Sequence, residues 1–154
     1  MTQDLTAEQY VTQLPTTSDT LTVAAMYERT SPDELFAYWT DPALLPQWWP
    51  EQAETDPRPG GAYHLAWPKM SWHLRGEYTA VEPARRLAFT WRWDHEPDKP
   101  TRTVDVLFEP VGDLGTQLIV THGTYAESNR EERDGHLEGW TYFLTRLRDA
   151  LAQE

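Results

Sequence analysis

Between Ala53 and Thr124 the chain is cut by turn signals about every dozen residues, and between them apolar and polar side chains alternate. The plainest run sets Leu87, Phe89, Trp91 and Trp93 against Ala88, Thr90, Arg92 and Asp94. Side chains two positions apart share a face of a strand, so this segment is greasy on one side and wet on the other. The same holds for Tyr63, Leu65 and Trp67, closed by Pro68, and for Trp72, Leu74, Gly76, Tyr78 and Ala80, closed by Pro83. Val104, Val106 and Phe108 follow, then Leu118, Val120 and His122; a weak strand lies around Ala53. Strands that are wet on one face build an antiparallel sheet, and the apolar face of such a sheet needs a cover.

The end of the chain supplies that cover. From about Glu127 to Ala152 there is no proline, and His136, Trp140, Phe143, Leu144, Leu147 and Leu151 recur in steps of three and four. This predicts one amphipathic helix, roughly 39 Å long at 1.5 Å per residue, enough to cross the whole sheet. Gly135 and Gly139 cost such a helix about 1 kcal/mol each relative to alanine, which predicts a close backbone approach there. The charged run 129–134 reads as a solvated first turn.

At the front, Thr20 to Glu28 reads as a first strand. Ser31, Pro32 and Glu34 have the spacing of a helix start with a capping box, and Leu35, Phe36 and Trp39 share one face. Asp41 and Pro42 break that helix and open a second short one through Leu44, Leu45 and Gln47. Residues 1–19 read as an arm, with a short helix expected from about Asp4 to Leu14, and residues 20–152 as the folded domain. The fold class is α+β: a curved antiparallel sheet of about six to seven strands, a long C-terminal helix, and two short helices after the first strand.

Composition narrows the function. At 154 residues one domain is expected. Lys and Arg number 13 against 25 Asp and Glu, a formal charge of -12 that repels phosphate backbones and anionic membranes, so neither is expected as a partner. There is no cysteine for a disulfide, a thiolate metal site or a thiol nucleophile. No basic-then-apolar leader opens the sequence and no apolar run reaches the roughly 20 residues of a bilayer span, so a cytoplasmic location is expected. The aromatic inventory, 8 Trp, 7 Tyr and 4 Phe, must cluster in a core or around a pocket.

Several segments together resemble one family. Ser31 to Phe36 with Trp39 and Asp41-Pro42, Trp48-Trp49-Pro50, Gly60-Gly61, Gly76-Glu77-Tyr78, Pro83 with Arg86 to Trp91, Gly115 to Leu118 with His122, and His136 to Trp140 occur in an order similar to the START-like superfamily. The likeness is to the branch named after the C-terminal domain of the heat-shock protein 90 ATPase activator. It implies the helix-grip fold, in which the sheet wraps the last helix and leaves a cavity between them.

Set in that fold, the alternation brings Tyr63, Trp67, Trp72, Phe89, Trp91 and Trp93 to the concave side, with His122 and Trp140 as polar handles. The expected function is therefore binding of a small apolar molecule, without catalysis. If the rings instead fill the space, the core is solid. A protein-interaction module, related to the heat-shock activators and exposing an apolar patch that involves Trp48 and Trp49, is the alternative. A second is an enzyme of the cyclase or dehydratase kind found among relatives, using His122, with His136 close by. His64, His73, His95, His122 and His136 show no metal-ligand spacing, no cofactor motif is present, and neither a nucleophile elbow nor a phosphate loop follows any strand. An acidic surface and a free sheet edge permit a dimer.

Overall fold

The computed structural model describes residues 11–14 and 19–152. Eight antiparallel strands form one sheet in the order β1-β2-β8-β7-β6-β5-β4-β3. They are β1 (Val11–Leu14), β2 (Thr20–Glu28), β3 (Gln52–Thr55), β4 (Ala62–Trp67), β5 (Trp72–Glu82), β6 (Arg86–Trp93), β7 (Arg102–Val111) and β8 (Gly115–Gly123). Helix α1 (Pro32–Thr40) follows β2, and α2 (Arg130–Ala152) closes the chain. This is the α+β helix-grip arrangement that the alternation and the long tail imply, with one strand more than expected.

The extra strand comes from the arm. Over residues 11–14 the expected helix is replaced by β1, which pairs with β2 so that Val11 faces Ala25 and Leu14 faces Thr22. The rest of that expected helix lies outside the described residues. β2 would otherwise be an edge with unpaired N–H and C=O groups, and the β-branched Val11 and Thr12 suit a strand better than a helix turn.

Register keeps the apolar set on one face. Leu21, Val23 and Ala25 oppose His122, Val120 and Leu118, and the last two oppose Val106 and Phe108 on β7. All of these are buried. Helix α1 starts as its sequence dictates: the Glu34 N–H donates to Ser31 Oγ at 3.1 Å, and Pro32 needs no intrahelical partner. It buries Leu35, Phe36, Tyr38 and Trp39, with Phe36 packed on Phe108 at 5.1 Å between ring centroids. The second short helix is a single 3₁₀ turn, Leu45–Gln47. Trp48 and Trp49, which the interaction-module alternative places on an exposed patch, are instead 0% and 5% exposed. The Trp48 indole N–H donates to the Tyr38 carbonyl at 2.8 Å, tying this turn under α1.

Helix α2 has 23 residues, a length of roughly 35 Å. Its buried stripe is Trp140, Leu144, Leu147 and Ala150. The C-terminal half lies on β1 and β2, where the Tyr27 hydroxyl donates to the Leu144 carbonyl at 2.9 Å. Among the described residues no helix is long and apolar enough to cross a membrane.

Candidate functional site

The concave face of the sheet is divided into a filled end and an open end. At the filled end Phe89 packs edge to face against both Tyr63 and Tyr78, its centroid 5.3 Å from that of Tyr63, and the three leave a void of only about 10 Å³. Tyr63 donates its hydroxyl to the Thr90 carbonyl, so its polar atom is used inside the protein. Burial pushes the Tyr63 phenol well up from its ordinary value. Tyr63 and Phe89 therefore belong to packing around the 3₁₀ turn rather than to an open surface.

At the other end a pocket of about 290 Å³ lies between the sheet and the N-terminal half of α2. Trp67 ends β4, Trp72 begins β5, and Trp91 and Trp93 come from β6; all four line it, with His95 just beyond β6. Trp93 is the hinge of this wall, its ring 5.4 Å from Trp67, 5.6 Å from Trp91 and 5.9 Å from Trp72. Trp72, 38% exposed, stacks on His95 at 5.6 Å and forms the rim. Trp49 reaches in from the 3₁₀ turn, stacked 6.0 Å from Trp91, and α2 presents Gly135, His136, Gly139, Trp140 and Phe143. No carboxylate, lysine or arginine is among the lining residues.

His122 lies behind this wall rather than on it. Its ring is fully buried, and its Nδ1 accepts the Trp140 indole N–H at 3.0 Å. The two expected polar handles thus bond to each other behind the wall, which occupies the Trp140 N–H and one His122 nitrogen. His136 stacks on His122 at 4.5 Å with the rings 9° from parallel, and its Nδ1 meets the Tyr125 hydroxyl at 2.7 Å. Burial, then the neighbouring His136 and Arg102, push the His122 pKa well below its ordinary value. Burial likewise pushes His136 down to about 4, despite Glu132 nearby. Both imidazoles are accordingly neutral near pH 7, and two stacked cations are avoided. With Nδ1 accepting, the neutral His122 carries its proton on Nε2, a buried atom with no hydrogen-bond partner among the described residues.

A buried ion pair anchors this corner. Arg102 of β7 binds Glu132 of α2 through two contacts of 2.7 Å and lies 4.6 Å over the Tyr125 ring. It also donates to the Thr124 carbonyl. Burial raises the Glu132 pKa, but Arg102 outweighs it and holds the carboxyl below its ordinary range. The pair fixes the first turn of α2, and with it the glycines and His136, over the end of the sheet.

Of the residues singled out in the sequence, Trp67, Trp72, Trp91, Trp93 and Trp140 meet at the pocket, while Tyr63, Phe89 and His122 do not line it. Trp49, His95, Gly135, His136, Gly139 and Phe143 also line it, beyond the set that the strand alternation singles out. Phe143 was legible in principle, one helical turn beyond Trp140. Among the described residues the close backbone approach expected at Gly135 and Gly139 is absent: a Cβ at either position meets nothing within 4 Å. His64 and His73 do come together, Nε2 to Nδ1 at 2.8 Å, because they are diagonal neighbours on paired strands. Among the described residues no group of three or more potential ligands is placed to hold a metal ion.

The family model "Activator of Hsp90 ATPase homolog 1-like protein" matches residues 29–152. No curated protein sequence matches the chain. Among solved structures, a protein of Mesorhizobium loti superposes with a TM-score of 0.78 at 24% identity, covering 87% of this chain and 97% of that one. An HSP90 activator from Plasmodium falciparum gives 0.70 at 23% identity, covering 88% and 97%. CalU16 from Micromonospora echinospora gives 0.62 at 22% identity, covering 94% and 93%. At such identities the likeness concerns the fold.

Proposed function

We propose that this chain, which belongs to the activator of Hsp90 ATPase homolog 1-like family, holds one small, flat, uncharged molecule in the pocket between β4–β6 and the start of α2. The observation that carries the reading is the open volume of about 290 Å³ walled by six tryptophans. An apolar cavity of about 150 Å³ takes benzene, so the space suits a two-ring aromatic molecule. Rings stacked on rings contribute about 0.5–1.5 kcal/mol each beyond area burial, and several indole faces border the pocket. The absence of charged side chains among the lining residues and the net charge of -12 both favour a neutral ligand over an anion. Binding without turnover is favoured because His122 is sealed in and His136, with a pKa of about 4, is a weak base.

Isothermal titration with neutral 2-naphthol tests this directly. One saturable site is expected, and Trp72→Ala at the rim should weaken it about 3–10-fold with little change in melting temperature. Native mass spectrometry of gently purified protein, followed by denaturation, would weigh whatever the cell had loaded. No saturable binding and no released molecule would overturn the reading. A protein partner is the second reading, favoured by the family relationship alone. Stimulation of a heat-shock protein 90 ATPase on adding the chain would support it, and an unchanged rate would remove it.

A further inference from the structure

Two helix-interior glycines on one face of α2 have no ordinary explanation. Gly135 and Gly139 are separated by about one turn, so they share a face of the helix. Neither is among the glycines with positive φ, which are Gly60, Gly112 and Gly115, and neither ends the helix, which runs on to Ala152. Among the described residues nothing stands within 4 Å of a Cβ built at either one, so no backbone or side chain there requires their smallness. Glycine is the least favourable residue after proline inside a helix, and alanine would fit both positions.

Both glycines line the pocket, Gly139 half-buried inside it and Gly135 exposed at its mouth. The cavity itself, opposite Trp91 and Trp93, is the independent observation; the glycines are the part of its wall that carries no side chain. We infer that Gly139, with Gly135 at the entrance, sets the size of ligand that the pocket accepts, leaving bare helix as the surface against which the second ring of a neutral two-ring aromatic molecule lies. The space that a Cβ and its extension would take at Gly139 is then occupied by ligand in the loaded protein. This rests on the reading of the pocket as a ligand site and adds what decides its selectivity.

Calorimetric titration of the full chain with 2-naphthol and with the single-ring phenol, on wild type, Gly139→Leu, Gly139→Ala and the outward-facing control Glu138→Leu, tests it. Wild type and the control should bind both probes. Gly139→Leu should lose at least tenfold in affinity for 2-naphthol while keeping phenol within about threefold. Gly139→Ala should melt about 2–4 °C higher than wild type, because the helix gains and no packing is lost. Undiminished 2-naphthol binding by Gly139→Leu, with wild type also binding, overturns this inference alone. Loss of both probes by Gly139→Leu, or a lower melting temperature for Gly139→Ala, also overturns it, the first by removing size selection and the second by showing a packing role. Wild type binding neither probe brings down the ligand reading and this inference together.

Discussion

His136 shows how much of this protein's behaviour is decided by the surroundings of single groups. Its ring is held neutral by burial, against His122 on one side and Tyr125 on the other, with Glu132, Glu96, Arg102 and Lys99 acting on it from farther out. A histidine whose folded pKa lies below its unfolded value stabilises the fold fully above the unfolded value, and that contribution is lost as pH falls toward the folded one. With 6.5 for the unfolded ring and about 4 for the folded one, His136 accounts for about 3 kcal/mol lost across that interval. His122 shifts in the same direction, and Glu132, whose pKa is lowered, extends the loss to still lower pH. Urea midpoints measured from pH 7 to pH 4.5 should therefore fall steadily, and His136→Gln should flatten the slope. A profile already flat in the wild type would show that the rings are not held as described. The position of both histidines on inner faces was legible from spacing. That His122 spends its Nδ1 on Trp140 was not, because the contact joins residues far apart in sequence.

Local chemistry specifies the elements well wherever the deciding partners are near in sequence. The start of α1 is the clearest case, with the Ser31 side chain and the Glu34 N–H only three residues apart. Ser31→Ala should cost about 1 kcal/mol and Ser31→Gly only a few tenths, read as shifts in the denaturant midpoint with unchanged slope. Equal losses for the two would mean that the hydroxyl acts through something other than the cap. The β6 and β8 alternations likewise came through, since period and register agree in a sheet with one covered face, and the β5 alternation holds as far as Tyr78, where a bulge shifts the register and brings Val81 rather than Ala80 opposite Leu87. The arm is the counter-example. Leu5, Tyr10 and Leu14 suggested a helix, yet residues 11–14 took the strand offered by the free edge of β2, a partner invisible to local periodicity.

At the scale of the whole molecule, one sheet and one helix enclose a space that is solid at one end and open at the other. Anything that binds the folded protein alone stabilises it by mass action, about 2.7 kcal/mol at a hundred times the dissociation constant. For a chain of this size, saturating 2-naphthol should raise the melting temperature by about 5–10 °C, scaling with the logarithm of concentration. A rise independent of concentration, or none, would argue against a single site. The sequence by itself determined the α+β class, the antiparallel sheet, the long final helix and the ring-rich concave face. These depend on periodicities of 2.0 and 3.6 and on caps and turns written within a few residues. Only the tertiary structure decided which rings pack solid, as Tyr63 and Phe89 do, and which border open space, as Trp67, Trp91 and Trp93 do across from Gly135 and Gly139. The reason is geometric: a pocket is the space left over between α2 and the sheet, fixed by the Arg102–Glu132 anchor and by two missing side chains, and no local pattern encodes a distance between elements.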